Sequence, residues 1–152
     1  MELSKVIQVI QYVLAPAVMI SSCSLLLLGF QNKFSSLANR FRVLNSEKRA
    51  LIQKHELSHM ESERLQNLKA QVEHLIERAT HVKNVILMTY CAIVCFIMTS
   101  LLIYLNVYTP FRLFPYIILS FLTGLVLVFF CSVLMMIEVA LAFEVISLES
   151  KS

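Results

Sequence analysis

The chain has 152 residues, is 58% hydrophobic and 15% charged, and has a mean hydropathy of +0.74. Soluble domains sit near about 45–50% apolar and about 25% charged, so this composition excludes an ordinary soluble domain and points to a membrane protein. The net charge of +3 is modest. Three membrane-length runs use about half of the chain, which leaves no room for a separate catalytic domain of about 100 residues.

The first run extends from about Val6 to Phe30. Roughly 20 apolar residues at about 1.5 Å each cover a hydrocarbon core. Gln8 and Gln11 interrupt its start and Pro16 lies inside it. Pro16 removes a backbone donor, which predicts a kink. In an alternative reading residues 3–15 form an interfacial helix striped by Leu3, Ile7, Ile10 and Leu14, and Pro16 opens a short true span. Ala17 and Ser21 make a small-xxx-small pair that lets another helix approach closely. Ile20-Ser21-Ser22-Cys23 loosely resembles a lipoprotein cleavage box, but Ser24-Leu25-Leu26-Leu27-Leu28 continues the apolar run where a mature lipoprotein turns polar. Lys5 is the only early base, so the start does not read as a secretory signal.

Residues 31–83 are polar and hold ten of the thirteen Lys and Arg beside six Glu. A basic loop this short is expected on the cytoplasmic side, which puts the N-terminus outside and the C-terminus in the cytoplasm. No Gly or Pro occurs between Gly29 and Pro110, so the segment is expected to be helical and continuous with the spans. Phe34, Leu37, Phe41, Leu44 and Leu51 follow a 3-4 spacing with Lys48 as the gap, and Leu65, Leu68, Val72, Leu75, Ala79 and Val82 follow it without one. Two coiled-coil-like stripes predict an antiparallel helical hairpin. Its turn is expected near Leu57–Ser62, with Ser58 and Glu61 as a capping box, Ser62 as a rival cap and Asn45-Ser46 as another break.

His55-Glu56-Leu57-Ser58-His59 reads as H-E-x-x-H. In zinc proteases the two His stack one turn apart and bind zinc while the Glu activates water, and Glu73 and Glu77 lie where a third ligand would be sought. A turn at this point breaks the stacking, and a narrow charged hairpin offers no water-excluding cleft. No catalytic residue, metal or cofactor is therefore assigned. His74 and His81 read as surface residues, with Glu77 placed to pair with His81. Nucleic-acid binding is disfavoured because bases and acids are interspersed, and with only Gly29 and Gly124 the chain has no Gly-rich phosphate loop.

The second span covers about Asn84 to Tyr108 and the third about Tyr116 to Glu138, joined by an outside turn from Thr109 to Pro115. Tyr104, Tyr108, Phe111, Phe114 and Tyr116 cluster as an aromatic belt would. Cys23, Cys91, Cys95 and Cys131 all lie in apolar runs and read as small packing residues rather than a disulfide framework. Glu138 ends the third run at interfacial depth, where a carboxylate is costly unless paired or hydrated, so it is the candidate functional carboxylate. Glu144 lies further out and is expected to be solvated, while Leu141, Val145 and Leu148 carry an apolar face onward. Lys33, Arg40 and Arg42 are placed to contact anionic lipid headgroups, each contributing about 1 kcal/mol.

Several stretches carry a family resemblance. Leu14-Ala15-Pro16-Ala17-Val18-Met19-Ile20-Ser21, Leu25-Leu26-Leu27-Leu28-Gly29, Asn39-Arg40-Phe41-Arg42, Leu44-Asn45, Thr99-Ser100-Leu101-Leu102-Ile103 and Ile137-Glu138-Val139 resemble a bacterial membrane-protein family catalogued as domain of unknown function 2721. The resemblance covers nearly the whole chain and implies a small inner-membrane protein, with no activity attached. The layout alone is similar to pentameric proton-channel subunits that power biopolymer transport, in which case Thr99, Ser100, Ser120 and Thr123 would face a lumen.

The sequence thus reads as an all-α membrane protein. One membrane domain covers 1–152, with spans at about 6–30, 84–108 and 116–138 and a cytoplasmic helical insert at 31–83. The expected role is a non-enzymatic, self-associating scaffold in the bacterial inner membrane, bound to anionic lipid and not to nucleic acid. The alternatives are a subunit of an ion- or proton-conducting homo-oligomer using Glu138 and, more remotely, a zinc-dependent membrane protease.

Overall fold

The computed structural model describes residues 2–53, 59–108 and 113–149, with side chains at 7–8, 10–53, 59–107 and 113–141. It contains α1 (Glu2–Ile52), α2 (His59–Tyr108) and α3 (Phe114–Glu149). All three are long and apolar enough to cross a membrane. The fold class expected from the sequence is therefore met in its helical content and in its three span-length helices.

The local reasons are plain. Between Gly29 and Pro110 no Gly or Pro interrupts the chain, so α1 and α2 each run about 50 residues without a break (51 and 50). Pro16 lies inside α1 and is fully buried. Its missing N–H leaves the Tyr12 carbonyl without the usual helical donor, yet α1 continues through it. Residues 3–15 and the run after Pro16 therefore form one unbroken helix rather than two. The break between α1 and α2 falls after Ile52 and before His59, so of the turn expected near 57–62 residues 59–62 already belong to α2, while 57 and 58 lie outside the described residues. Residues 59–62 are helical, and the Ser62 hydroxyl donates to the His59 carbonyl at 2.8 Å rather than capping. Ser58, half of the expected capping box, lies outside the described residues, as do the turn residues 109–112 with Phe111. Asn45-Ser46 does not break α1, and Ser46 donates to Val43 O within it.

At the start of α3 the Tyr116 and Ile117 amides donate to Leu113 O at 3.1 and 3.2 Å, and the Leu113 amide donates to Asn106 Oδ1 at 3.2 Å. Pro115 sits in the first turn of α3, where its lacking donor costs nothing.

The chain divides into two compact units, 1–28 with 85–152 and 29–84. In the first, the core is Cys23, Ala92 and Phe96, packed by Met19 and Ile20 of α1, Ile93 of α2, and Phe121, Leu125 and Val128 of α3. Phe96 is fully buried and meets Phe121 edge to face, with centroids 5.7 Å apart at 62°. Gly124 faces the same ring so closely that an added Cβ would fall 2.8 Å from Phe96 Cε1. Most of the apolar side chains of this unit point outward, including Leu25, Leu119 and Phe129. In hydrocarbon, exposed hydroxyls must be satisfied internally. Ser21, Ser22, Ser24, Thr123 and Ser132 each donate to the carbonyl four residues back.

The second unit pairs residues 29–52 of α1 with 59–84 of α2. The Arg64 guanidinium donates to Glu47 near the end marked by Ile52 and His59. Phe34–Phe41 line one groove with Leu75–Lys83, so the two arms run antiparallel. The stripe read in the second arm is the packed one, since Leu68, Val72, Leu75 and Val82 are buried and Leu65 and Ala79 partly so. In the first arm only Leu37 of its stripe is fully buried, while Phe41, Leu44 and Leu51 are intermediate.

Candidate functional site

Glu138 lies on α3, 24 residues in from Phe114, and is 8% exposed. The reason is its position on a stripe. Gly124, Cys131, Met135 and Glu138 are all buried, and steps of seven, four and three keep them on one helix face. That face is the one α3 turns toward the rest of its unit, because Gly124 meets Phe96 and the Cys131 thiol donates to the Val85 carbonyl of α2 at 3.6 Å. Glu138 is thus directed inward among the helices of its own chain. A carboxylate buried at such a position is costly unless it is paired or hydrated, which is what makes Glu138 the candidate functional group.

Two further buried polar residues belong to this unit. Thr89 donates to Val85 O at 2.9 Å. Thr99 donates to Cys95 O at 2.8 Å and lies 3.1 Å from the Ser120 hydroxyl, which itself approaches Cys95 O at 2.9 Å. Two hydroxyls and one carbonyl therefore link α2 to α3. Thr99 and Ser120, read as lumen-facing in the channel-like layout, face each other between two helices of one chain. Ser100 bonds Phe96 O and is half-buried, and Thr123 is on the exposed side of α3. Of these polar side chains, only Thr89 was not singled out in the sequence. Its buried neighbours Val85, Ala92, Phe96 and Thr99 stand at helical spacing with it, and that spacing is the signal that points to it.

The basic candidates belong to the other unit. Lys33 is half-buried and Arg40 and Arg42 are exposed, all on its α1 arm. That arm carries Lys33, Arg40, Arg42, Lys48 and Arg49 against the single acid Glu47. Positive charge is therefore concentrated on one arm, which a count over the whole segment hides. On the α2 arm Glu77 approaches His74 at 4.0 Å, both exposed. Among the described residues this takes the place of the expected Glu77–His81 pair.

Of the H-E-x-x-H pattern only His59 lies among the described residues. α1 ends at Ile52 and α2 begins at His59, so His59 opens a helix, while His55 and Glu56 lie outside the described residues. The two His do not share a described helix, which is what stacking them on one zinc requires. The four cysteines are all free; Cys23 and Cys131 are buried as the packing reading expects, whereas Cys91 is exposed and Cys95 half-buried.

Three span-length apolar helices within 152 residues define, by length and composition, a multi-pass helical membrane protein. Within that class the family can be named. The model of the family described as "Protein of unknown function (DUF2721)" matches residues 13–148, and the chain belongs to it. Comparison with curated proteins and with solved structures gave no match.

Proposed function

We propose that the protein is a non-enzymatic helical scaffold of the bacterial inner membrane that associates with copies of itself. The observation that carries this reading is an open, wholly apolar groove of about 370 Å³ on α1, lined by Ile10, Val13, Leu14 and Ala17. Ala17 and Ser21 are exposed one turn apart beside it, so a second apolar helix can approach α1 closely. Single-molecule photobleaching in nanodiscs should count more than one copy per particle. Ala17→Leu with Ser21→Leu should weaken association about tenfold, a loss of about 1–2 kcal/mol of helix packing. A wild type that is monomeric at every protein-to-lipid ratio rejects the reading.

The orientation we propose places residues 31–83 in the cytoplasm as a helical hairpin, the N-terminus outside and the C-terminus inside. Its support is the ten Lys and Arg of that segment against Arg112 alone in the opposite loop. Lys33, Arg40 and Arg42 then stand where anionic headgroups collect. Ser46 and Ser62 are exposed. In a background lacking the native cysteines, Ser46→Cys and Ser62→Cys should resist an impermeant thiol reagent in intact cells and react after lysis. Labelling of intact cells would reverse the topology.

A second reading, a conducting homo-oligomer, is favoured by one observation, the buried carboxylate of Glu138. An intramembrane carboxylate can relay protons or hold a cation. Glu138→Gln keeps the shape and removes the charge, so it should abolish most of any proton or cation flux in proteoliposomes while leaving insertion intact. Glu144→Gln should do much less. No flux in the wild type, or equal effects of the two substitutions, removes the support for conduction.

A further inference from the structure

The second unit carries an open groove of about 270 Å³ that its own fold does not fill. Its α1 wall is Phe34, Leu37, Ala38 and Phe41, and its α2 wall is Leu75, Ile76, Ala79, Thr80 and Lys83. Leu37 and Leu75 form a buried floor, while Phe34 and Ile76 on the walls remain 37% and 50% exposed. The Thr80 hydroxyl is satisfied by Ile76 O at 2.9 Å. Among the described residues of the lining Lys83 supplies the only charge, and it is exposed. An apolar trough this open is unusual in a segment otherwise covered by charge, and marks a surface that something apolar covers.

Three properties restrict what fits. The trough is short: the seven steps of α1 from Phe34 to Phe41 rise roughly 10 Å, the length of part of one hydrocarbon chain. The charge in its lining is positive and stands on the α2 wall at Lys83, so the occupant is anionic at one end. Lys83 is the last residue before the unit ends at Asn84, so the charged end of the trough is the end nearest the apolar run of α2. A second copy of the unit fits less well, because ten bases against six acids in 31–83 would repel their like.

We propose that this groove is a specific site for one anionic phospholipid. Its phosphate sits on Lys83, one acyl chain lies in the trough between Phe34 and Ile76, and the other chain stays in the bilayer. The site rests on the reading that residues 29–84 border a membrane surface. It adds to that reading a chain-binding groove and a residue, Lys83, outside the headgroup contacts at Lys33, Arg40 and Arg42.

The test is native mass spectrometry of the delipidated full-length chain in detergent. Phosphatidylglycerol or phosphatidylcholine of identical chains is added back at equal concentrations. The wild type should retain one phosphatidylglycerol at about tenfold lower lipid concentration than phosphatidylcholine. Lys83→Gln should weaken that retention about fivefold. Ala79→Phe, which fills the trough without changing charge, should weaken it as much, and Thr80→Phe, on the exposed wall, serves where Ala79→Phe lowers the helix content. Equal retention of the two lipids by the wild type overturns the proposal. So does unchanged phosphatidylglycerol binding in a folded groove-filled variant, which would reduce the effect to surface charge. The same spectra report the number of chains per particle. A monomer that still selects phosphatidylglycerol therefore counts against self-association and not against this site.

Discussion

Phe96→Ala is expected to destabilise the three-helix unit by about 3–5 kcal/mol, the range for removing a large aromatic from a packed core. Phe96 has no exposed surface, holds Phe121 edge to face at 5.7 Å, and lies in the cluster with Cys23 and Ala92. In a membrane the loss is mainly one of van der Waals contact, because lipid is as apolar as the core. A vacated ring site bounded by Gly124, which has no side chain to move in, collapses poorly. Unfolding by steric trapping in bicelles measures the change. Phe96→Leu, which keeps most of the volume, should cost clearly less. Equal effects of the two would mean that the ring is not the packing centre.

Gly124→Ala should cost about 1–3 kcal/mol through overpacking, and the cost should depend on Phe96. The new Cβ falls 2.8 Å from Cε1, 3.0 Å from Cζ and 3.1 Å from Cδ1 of that ring. The ring edge must shift, and a side chain without exposed surface has little room to do so. In a Phe96→Leu background the same substitution should cost much less, with a coupling of about 0.5–3 kcal/mol in the double-mutant cycle. Additive costs would show that Gly124 serves helix flexibility or lipid contact rather than the fit to Phe96. Gly29, with nothing within 4 Å of the corresponding position, is the control. There Gly→Ala should be neutral or favourable by up to about 1 kcal/mol in a helix interior.

The pairing of these two residues is a tertiary property that no local feature of the chain encodes. The apolar runs that became α1, α2 and α3 were legible because length, hydropathy and the lack of Gly and Pro are local properties. In the α2 arm, residues 59–84, even the facing was legible. Leu68, Val72, Leu75 and Val82 stand out against Lys, Glu and Gln neighbours, and the stripe they make is the buried one. The position of the turn was less so. No Gly or Pro marks it, and the Ser58–Glu61 pattern drew the expected turn toward 57–62, whereas α1 already ends at Ile52.

By itself, then, the sequence determined three span-length helices, a charged two-helix segment with its buried stripe, membership of the DUF2721 family and a carboxylate at the end of the third apolar run. It did not determine which way that carboxylate turns. In a helix that is apolar all round, core-facing and outward-facing positions have the same composition, so hydropathy carries no information on rotation about the axis. Only tertiary packing resolves it. The absent side chain of Gly124 admits the Phe96 ring, Cys131 reaches the Val85 carbonyl, and Thr99 and Ser120 meet over Cys95 O. Together these contacts lock the rotation of α3, and at steps of four and three residues beyond Cys131 the same rotation carries Met135 and Glu138 inward.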